Sequence, residues 1–83
     1  MAIEKQQGSS STYSTSDIYL SAFLKAKGMR LLDKRQIGNK CHFIFQDRQD
    51  RELLIQDFFN DGLVSITAFK NALQDLKTLV FNI

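Results

Sequence analysis

The sequence is poor in residues that form covalent or metal cross-links. Its 83 residues include one cysteine, Cys41, and one histidine, His42. A single cysteine excludes an internal disulfide framework, and two soft ligands are too few for an ordinary structural zinc site. We therefore expect a domain that holds no metal and no cofactor.

Long apolar runs are also missing. No stretch approaches the ~18–20 apolar residues that a helix needs to span a bilayer. Residues 1–7 (MAIEKQQ) lack the apolar middle of a signal peptide, which argues against secretion. These absences predict a cytoplasmic protein that does not associate with membranes.

Residues in a catalytic arrangement are equally scarce. The four glycines are scattered along the chain, so there is no glycine-rich loop to hold a phosphate group. Cys41 and His42 are the one nucleophile–base pair, but neighbouring strand residues point to opposite faces and cannot form a dyad. The acidic residues between positions 47 and 61 are better explained as helix caps and solvated helix surface. We expect no enzymatic activity, no catalytic residue and no metal ligand.

What is present is an ordinary globular composition with an unusual start. Hydrophobic residues make up 43% of the chain, charged residues 24%, and the net charge is +2, which is typical of one small domain. From Gly8 to Ser16, seven of nine residues are Ser or Thr. Such a segment buries too little apolar surface to offset its ordering entropy, about 1–2 kcal/mol per residue. We predict a flexible tail over residues 1–15 and a single domain over residues 16–83.

The domain begins with a helix signal. A helix is predicted over residues 17–27, because Thr15 or Ser16 suits the N-cap and Gly28 suits the stop. Its polar stripe is narrow, and apolar side chains cover nearly all the rest of its surface. That apolar face is wider than one neighbouring helix normally covers.

A β-hairpin is predicted next, around Gly38 and Asn39, which both tolerate the positive φ of a tight turn. With these two residues as the loop, Phe45 faces Leu32 and Phe43 faces Lys34 across the hairpin. We expect His42 to point outward, and the alternate residues of its strand to face the core: Cys41, Phe43 and Phe45.

Two further helices complete the pattern. Residues 47–50 (DRQD) resemble a capping box for a helix that ends at residues 60–62. Ser65 caps the last helix, over residues 66–80, whose apolar positions follow the helical period. Residues 63–64 are a candidate short strand. The predicted class is α+β, a small single domain in the order α-β-β-α-(β)-α, with helices packed on a short antiparallel sheet. The predicted core contains Phe23, Leu31 or Leu32, Phe43, Phe45, Leu54, Phe58, Phe69, Leu73 and Leu76.

Four segments together resemble a known family. They are residues 19–24 (YLSAFL) leading to Lys27 and Gly28, residues 43–47 (FIFQD), residues 58–60 (FFN) followed by Val64, and residues 69–73 (FKNAL). Over residues 16–80 the chain resembles a family of small uncharacterised bacterial and phage proteins that is known as a domain of unknown function. The resemblance implies a bacterial or phage origin, and it implies no activity and no site residues.

The wide apolar face of the first helix favours a protein-interaction or accessory role. One small core has difficulty covering an apolar surface that points in so many directions, and exposed apolar patches mark interaction sites. We expect at least one of Tyr19, Leu20 and Leu24 to be exposed and to contact a protein partner or a second copy. The candidate interface consists of Tyr19, Leu20, Phe23 and Leu24.

The distribution of charge supports an alternative. Residues 17–40 carry six basic and two acidic side chains, a net charge of +4, whereas residues 41–83 carry four basic and six acidic ones, a net charge of −2. A basic region of this kind suits weak, sequence-independent binding of nucleic acid. Because Lys34 and Arg35 must point to opposite faces of a strand, only part of the charge can form one surface. The candidate basic patch consists of Lys27, Arg30, Arg35 and Lys40.

Overall fold

A three-stranded antiparallel sheet and three helices enclose the core. The computed structural model describes residues 11–81, and the elements in chain order are β1 (Thr12–Thr15), α1 (Ile18–Ala26), β2 (Leu31–Ile37), β3 (Lys40–Gln46), α2 (Arg51–Phe59) and α3 (Ile66–Phe81). This architecture confirms the predicted α+β class. Within residues 11–81, no helix is long and apolar enough to cross a membrane.

β3 is the central strand of the sheet, whose order is β1-β3-β2. It pairs antiparallel with both neighbours. β1 and β2 therefore run parallel to each other, and α1 connects them as in a split β-α-β unit. The helices cover the side of the sheet that carries Phe43 and Phe45, which are 1% and 0% exposed. No described helix covers the opposite side, which we call the open sheet face.

The first strand lies where the Ser/Thr-rich composition predicts a flexible tail. Thr12–Thr15 pair with β3, and Tyr13 stands opposite Phe45. The prediction of an unstructured segment is therefore wrong for Thr12–Thr15, while residues 1–10 lie outside the described residues. The physical reason is tertiary: a central strand supplies backbone partners, and the Tyr13 ring packs against the core beneath the Arg51 guanidinium, 4.7 Å away.

The ends of α1 are defined by specific hydrogen bonds. Asp17, rather than Thr15 or Ser16, is the N-cap: its Oδ1 accepts hydrogen bonds from the backbone N–H of Tyr19 and Leu20 at 3.0 and 3.1 Å. Gly28 ends the helix as predicted, with φ +100°. The N–H groups of Gly28 and Met29 donate to carbonyls of the last turn, which is a Schellman motif.

The hairpin has the predicted register near its turn. Gly38 takes a φ of +63°, and Lys34 stands opposite Phe43. Farther from the turn, the register shifts at a bulge between Leu31 and Asp33, so that Phe45 faces Leu31 instead of Leu32. The extra residue of a bulge leaves no mark in the hydrophobic pattern that predicts the pairing.

The two later helices begin differently from each other. The predicted capping box over residues 47–50 is wrong, because the N-cap Asp50 makes no side-chain cap bond. The Asp47 carboxylate instead accepts hydrogen bonds from the Arg51 guanidinium at 3.1 and 3.3 Å, and these hold the pKa of Asp47 below its ordinary value. Ser65 caps α3 as predicted, since its Oγ accepts from Ala68 N–H at 3.2 Å. Residues 63–64 form no strand.

The core lies between the sheet and the helices. Among the predicted core residues, Phe58, Phe69 and Leu73 are half-buried at helix sides. The bulge leaves Leu31 half-buried and turns Leu32 toward solvent. The remaining predicted members are buried: Phe23, Phe43, Phe45, Leu54 and Leu76.

Candidate interaction surfaces

The face of α1 that predicted a partner surface is occupied by the chain itself. Leu20, Phe23 and Leu24 are only 4%, 3% and 0% exposed. Leu20 and Leu24 belong to the core cluster, together with residues of β3, α2 and α3. α1 is covered on several sides, by the sheet and by the other helices, so the candidate interface is wrong for these three residues. Tyr19, at 55% exposure, confirms that at least one of the predicted residues is exposed.

Three exposed large apolar side chains lie close together in sequence where α2 gives way to α3. Phe59, Leu63 and Ile66 are 68%, 86% and 77% exposed, and we call these three residues the α2–α3 corner. They fall within eight consecutive positions, in which the backbone turns through Asp61 at φ +62°. Phe59 and Ile66 are apolar residues of α2 and α3, but neither is in the predicted core, and each lies at the end of its helix, where it stays exposed.

The backbone of the α2–α3 corner is held in a tight turn. The Gly62 N–H donates to the Asp57 carbonyl at 2.6 Å, and the Asn60 side-chain amide donates to the Gln56 carbonyl at 2.7 Å. A Cβ atom on Gly62 would lie 2.6 Å from the Asp57 carbonyl oxygen, so this close approach requires glycine. The turn therefore presents Leu63 from a fixed backbone, which lowers the entropy lost on binding.

Charged residues at the α2–α3 corner are acidic. Asp57 and Asp61 are both exposed and lie within four residues of Phe59 or Leu63. An apolar group with an acidic border is complementary to a partner surface that is also apolar and has a basic border.

The open sheet face carries most of the predicted basic patch. Alternation from the buried Phe43 and Phe45 places His42 and Lys40 on the open side of β3. Arg35 stands opposite His42. Arg30 is exposed and directly precedes Leu31, which packs against the core, so alternation places Arg30 on the open side, beside Gln46, whose N–H donates to the Arg30 carbonyl at 2.9 Å. Three of the four predicted residues therefore share one face: Arg30, Arg35 and Lys40.

The fourth member, Lys27, lies elsewhere. It is the C-cap of α1, and its Nζ lies 5.7 Å from the centre of the Phe23 ring. Lys34 points to the helix side of the sheet, where its Nζ donates to the Leu79 carbonyl at 2.9 Å. This confirms that Lys34 and Arg35 leave the strand on opposite faces.

Some cations outside the open sheet face form ion pairs, whereas those on it form none with the described residues. Lys25, Arg48 and Arg51 each lie within 4.0 Å of a carboxylate. Between residues 11 and 81, no ion pair joins Arg30, Arg35 or Lys40 to an acidic side chain. Their charge is therefore directed at solvent.

The residues considered for catalysis are not brought together. Cys41 and His42 are both half-buried and alternate between the two faces of β3. In the described part of the chain, no group of three or more His, Cys, Asp or Glu side chains is arranged to hold a metal ion.

A groove of about 280 Å³ runs between β2 and α3, lined by Leu31, Leu32, Asp33, Lys34 and Leu79.

Comparison with known families agrees with the extent of this fold. A family model described as a domain of unknown function, DUF5659, matches residues 10–82. The chain belongs to this family. The match includes the residues of β1, which the structure also places in the domain. No significant match was found among curated proteins or among solved structures.

Proposed function

We propose that this DUF5659 domain is a non-enzymatic protein-interaction module that contacts its partner through the α2–α3 corner. The observation that carries the proposal is the exposure of three large apolar side chains, Phe59, Leu63 and Ile66, at one turn. Isolated exposed apolar residues are common on protein surfaces, but a group of them is typical of an interaction site.

These three side chains offer a partner a large apolar surface to bury. Burying one Leu, Ile or Phe side chain contributes about 1.5–3 kcal/mol. Interfaces concentrate their binding energy in a few such residues near the centre. Leu63, at 86% exposure, has the largest fraction of its surface left to bury and is the expected anchor.

The acidic border argues for a different protein as partner rather than a second copy. In a two-fold contact between two α2–α3 corners, Asp57 and Asp61 would approach the same residues of the other copy. Like charges facing each other oppose such a dimer, whereas a basic border on the partner favours the complex. The protein is therefore expected to sediment as a monomer at micromolar concentration.

A non-enzymatic role is supported by the dispersal of the reactive groups. The strand separates Cys41 from His42, and most described acidic residues lie on helices and turns, where they form ion pairs or face solvent. The proposal therefore assigns binding rather than chemistry to this domain.

The test uses photo-crosslinking in the cell of origin. A photoreactive amino acid at position 63 is compared with one at position 53, because Leu53 is also exposed, at 63%, but lies outside the α2–α3 corner. The expected result is a defined crosslinked protein from position 63 that is absent from position 53.

The partner is then purified and titrated against variants. We expect Leu63→Ser to raise the Kd about tenfold or more, while Leu53→Ser leaves it unchanged. Asp57→Asn with Asp61→Asn is expected to weaken binding mainly at low salt. Equal crosslinking from both positions, or an unchanged Kd for Leu63→Ser, would contradict the proposal.

A further inference from the structure

We infer that the open sheet face binds the phosphate backbone of single-stranded nucleic acid, independently of the proposed protein interaction. The face lies on the side of the sheet away from the helices, whereas the α2–α3 corner lies between two helices. Arg30, Arg35 and Lys40 form a row on this face. Strand geometry gives the row a length of about 20 Å, since residues rise about 3.3 Å along a strand and strands lie about 4.8 Å apart.

The charge balance of the open sheet face is positive, with three cations against one carboxylate. Strand alternation places one carboxylate there among the described residues of β2 and β3, that of Asp33, opposite Ile44. Most other described carboxylates lie on helices or on the turns beside them. The protein as a whole has a net charge of only +2, so its positive potential is concentrated on one face.

The shape and chemistry of this face favour a single strand over other anions. A sheet provides a flat platform on which unpaired bases can lie while their phosphates meet cations at its margin. His42 and Ile44 occupy the middle strand of that platform, with Arg35 opposite His42. The described face has few large apolar side chains, which gives a protein partner little to bury.

The composition of the face also sets the kind of binding. No described residue on it is Phe, Tyr or Trp, so base stacking is limited to His42 and the Arg guanidinium groups. The binding is therefore weak, dominated by phosphate contacts and independent of base sequence.

The experiment titrates the full chain with fluorescently labelled 15-nucleotide strands of oligo-dT and oligo-U. Three phosphate contacts to a single strand give a slope of about −2 for log K against log salt, since each contact contributes about −0.7. The affinity should fall about 18-fold between 50 and 200 mM salt. Both strands are expected to bind within about threefold of each other.

Two double variants that lower the net charge equally distinguish binding at the open sheet face from general electrostatic attraction. Arg35→Gln with Lys40→Gln is expected to reduce the slope to about −0.7 and to abolish measurable binding at 200 mM salt. The control, Lys70→Gln with Lys77→Gln, removes two exposed cations of α3 and is expected to bind as the unmodified chain does. Circular dichroism confirms that both variants are folded.

Four outcomes would overturn the inference. The first three are an absence of binding at low salt, an equal loss of affinity in the α3 control, and displacement of the oligonucleotide by poly-glutamate at equal charge. The third result would mean that any polyanion suffices. A 15-base-pair duplex should compete less well than a single strand, and equal competition would also contradict the assignment.

Discussion

Removal of β1 is expected to destabilise the domain, although its sequence is that of a flexible tail. A truncated chain that begins at Ser16 loses the pairing of Thr12–Thr15 with β3. It also loses the Tyr13 ring, which packs on the core and under the Arg51 guanidinium. β3 then becomes an edge strand, and the side of the core near Phe45 opens to water.

The expected magnitude follows from opposing contributions. Each backbone hydrogen bond of the β1–β3 pair contributes about 0.5–1.5 kcal/mol, and burial of much of the Tyr13 ring contributes about 1.5–2 kcal/mol. The strand regains about 1–2 kcal/mol of backbone entropy per residue when it is released. Because the hydrogen-bond and backbone-entropy contributions are of similar size and opposite sign, the net loss is close to the Tyr13 contribution, about 1.5–2 kcal/mol, which lowers the Tm of a domain of this size by about 6–16 °C.

The assay is thermal and urea denaturation followed by circular dichroism, with two truncations compared. One begins at Ser16, and its matched control begins at Ser11 and keeps β1. Because both chains lack residues 1–10, the difference between their stabilities measures the contribution of β1 alone. If both chains melt within about 2 °C of each other, β1 contributes no net stability and the reasoning is refuted.

Three other substitutions have directions that the structure determines. Asp47→Asn should lower the free energy of unfolding by about 1–2 kcal/mol at neutral pH. Because the hydrogen bond from Arg51 depresses the pKa of Asp47, this stability is present above about pH 4 and is lost as the pH falls through the folded-state pKa. In urea denaturation, the variant should therefore be less stable than the unmodified chain at about pH 7 and equal to it at about pH 2. Phe45→Ala removes a fully buried ring and should cost about 3–5 kcal/mol; a shift of Tm under about 4 °C would contradict its place in the core. Gly62→Ala places a Cβ 2.6 Å from the Asp57 carbonyl oxygen and should lower the free energy of unfolding by about 1–3 kcal/mol, measured by urea denaturation. An unchanged free energy of unfolding would mean that the turn moves to accommodate the Cβ.

Local signals predicted the parts of this fold that depend on neighbours in sequence. Gly28 and the position of the Gly38–Asn39 loop were predicted correctly because glycine tolerates positive φ, although within the loop Gly38 adopts it and Asn39 does not. α3 was predicted within one residue because its apolar period runs over several turns.

Features that depend on distant partners could not be predicted in this way. The strand character of Thr12–Thr15 comes from β3, some thirty residues later, and composition alone cannot reveal such a partner. The same holds for the interaction surfaces. The apolar width of α1 indicated an uncovered face, but the sheet and two helices cover it, and a group of uncovered apolar residues lies instead at the α2–α3 corner.

The pairing of β1 with β3 also bears on the order in which the chain acquires its structure. The β2–β3 hairpin closes a loop of two residues, whereas β1 can pair only after Gln46, the partner of Thr12, has been synthesised. Contacts of large sequence separation require more loop-closure entropy and form later. During synthesis from the N-terminus, α1 and the hairpin therefore precede the docking of β1, and the edge of β3 stays unprotected in the interval. A chain stalled before that docking step exposes a strand edge rich in Phe and Ile, which is the stage at which this domain is most prone to aggregate.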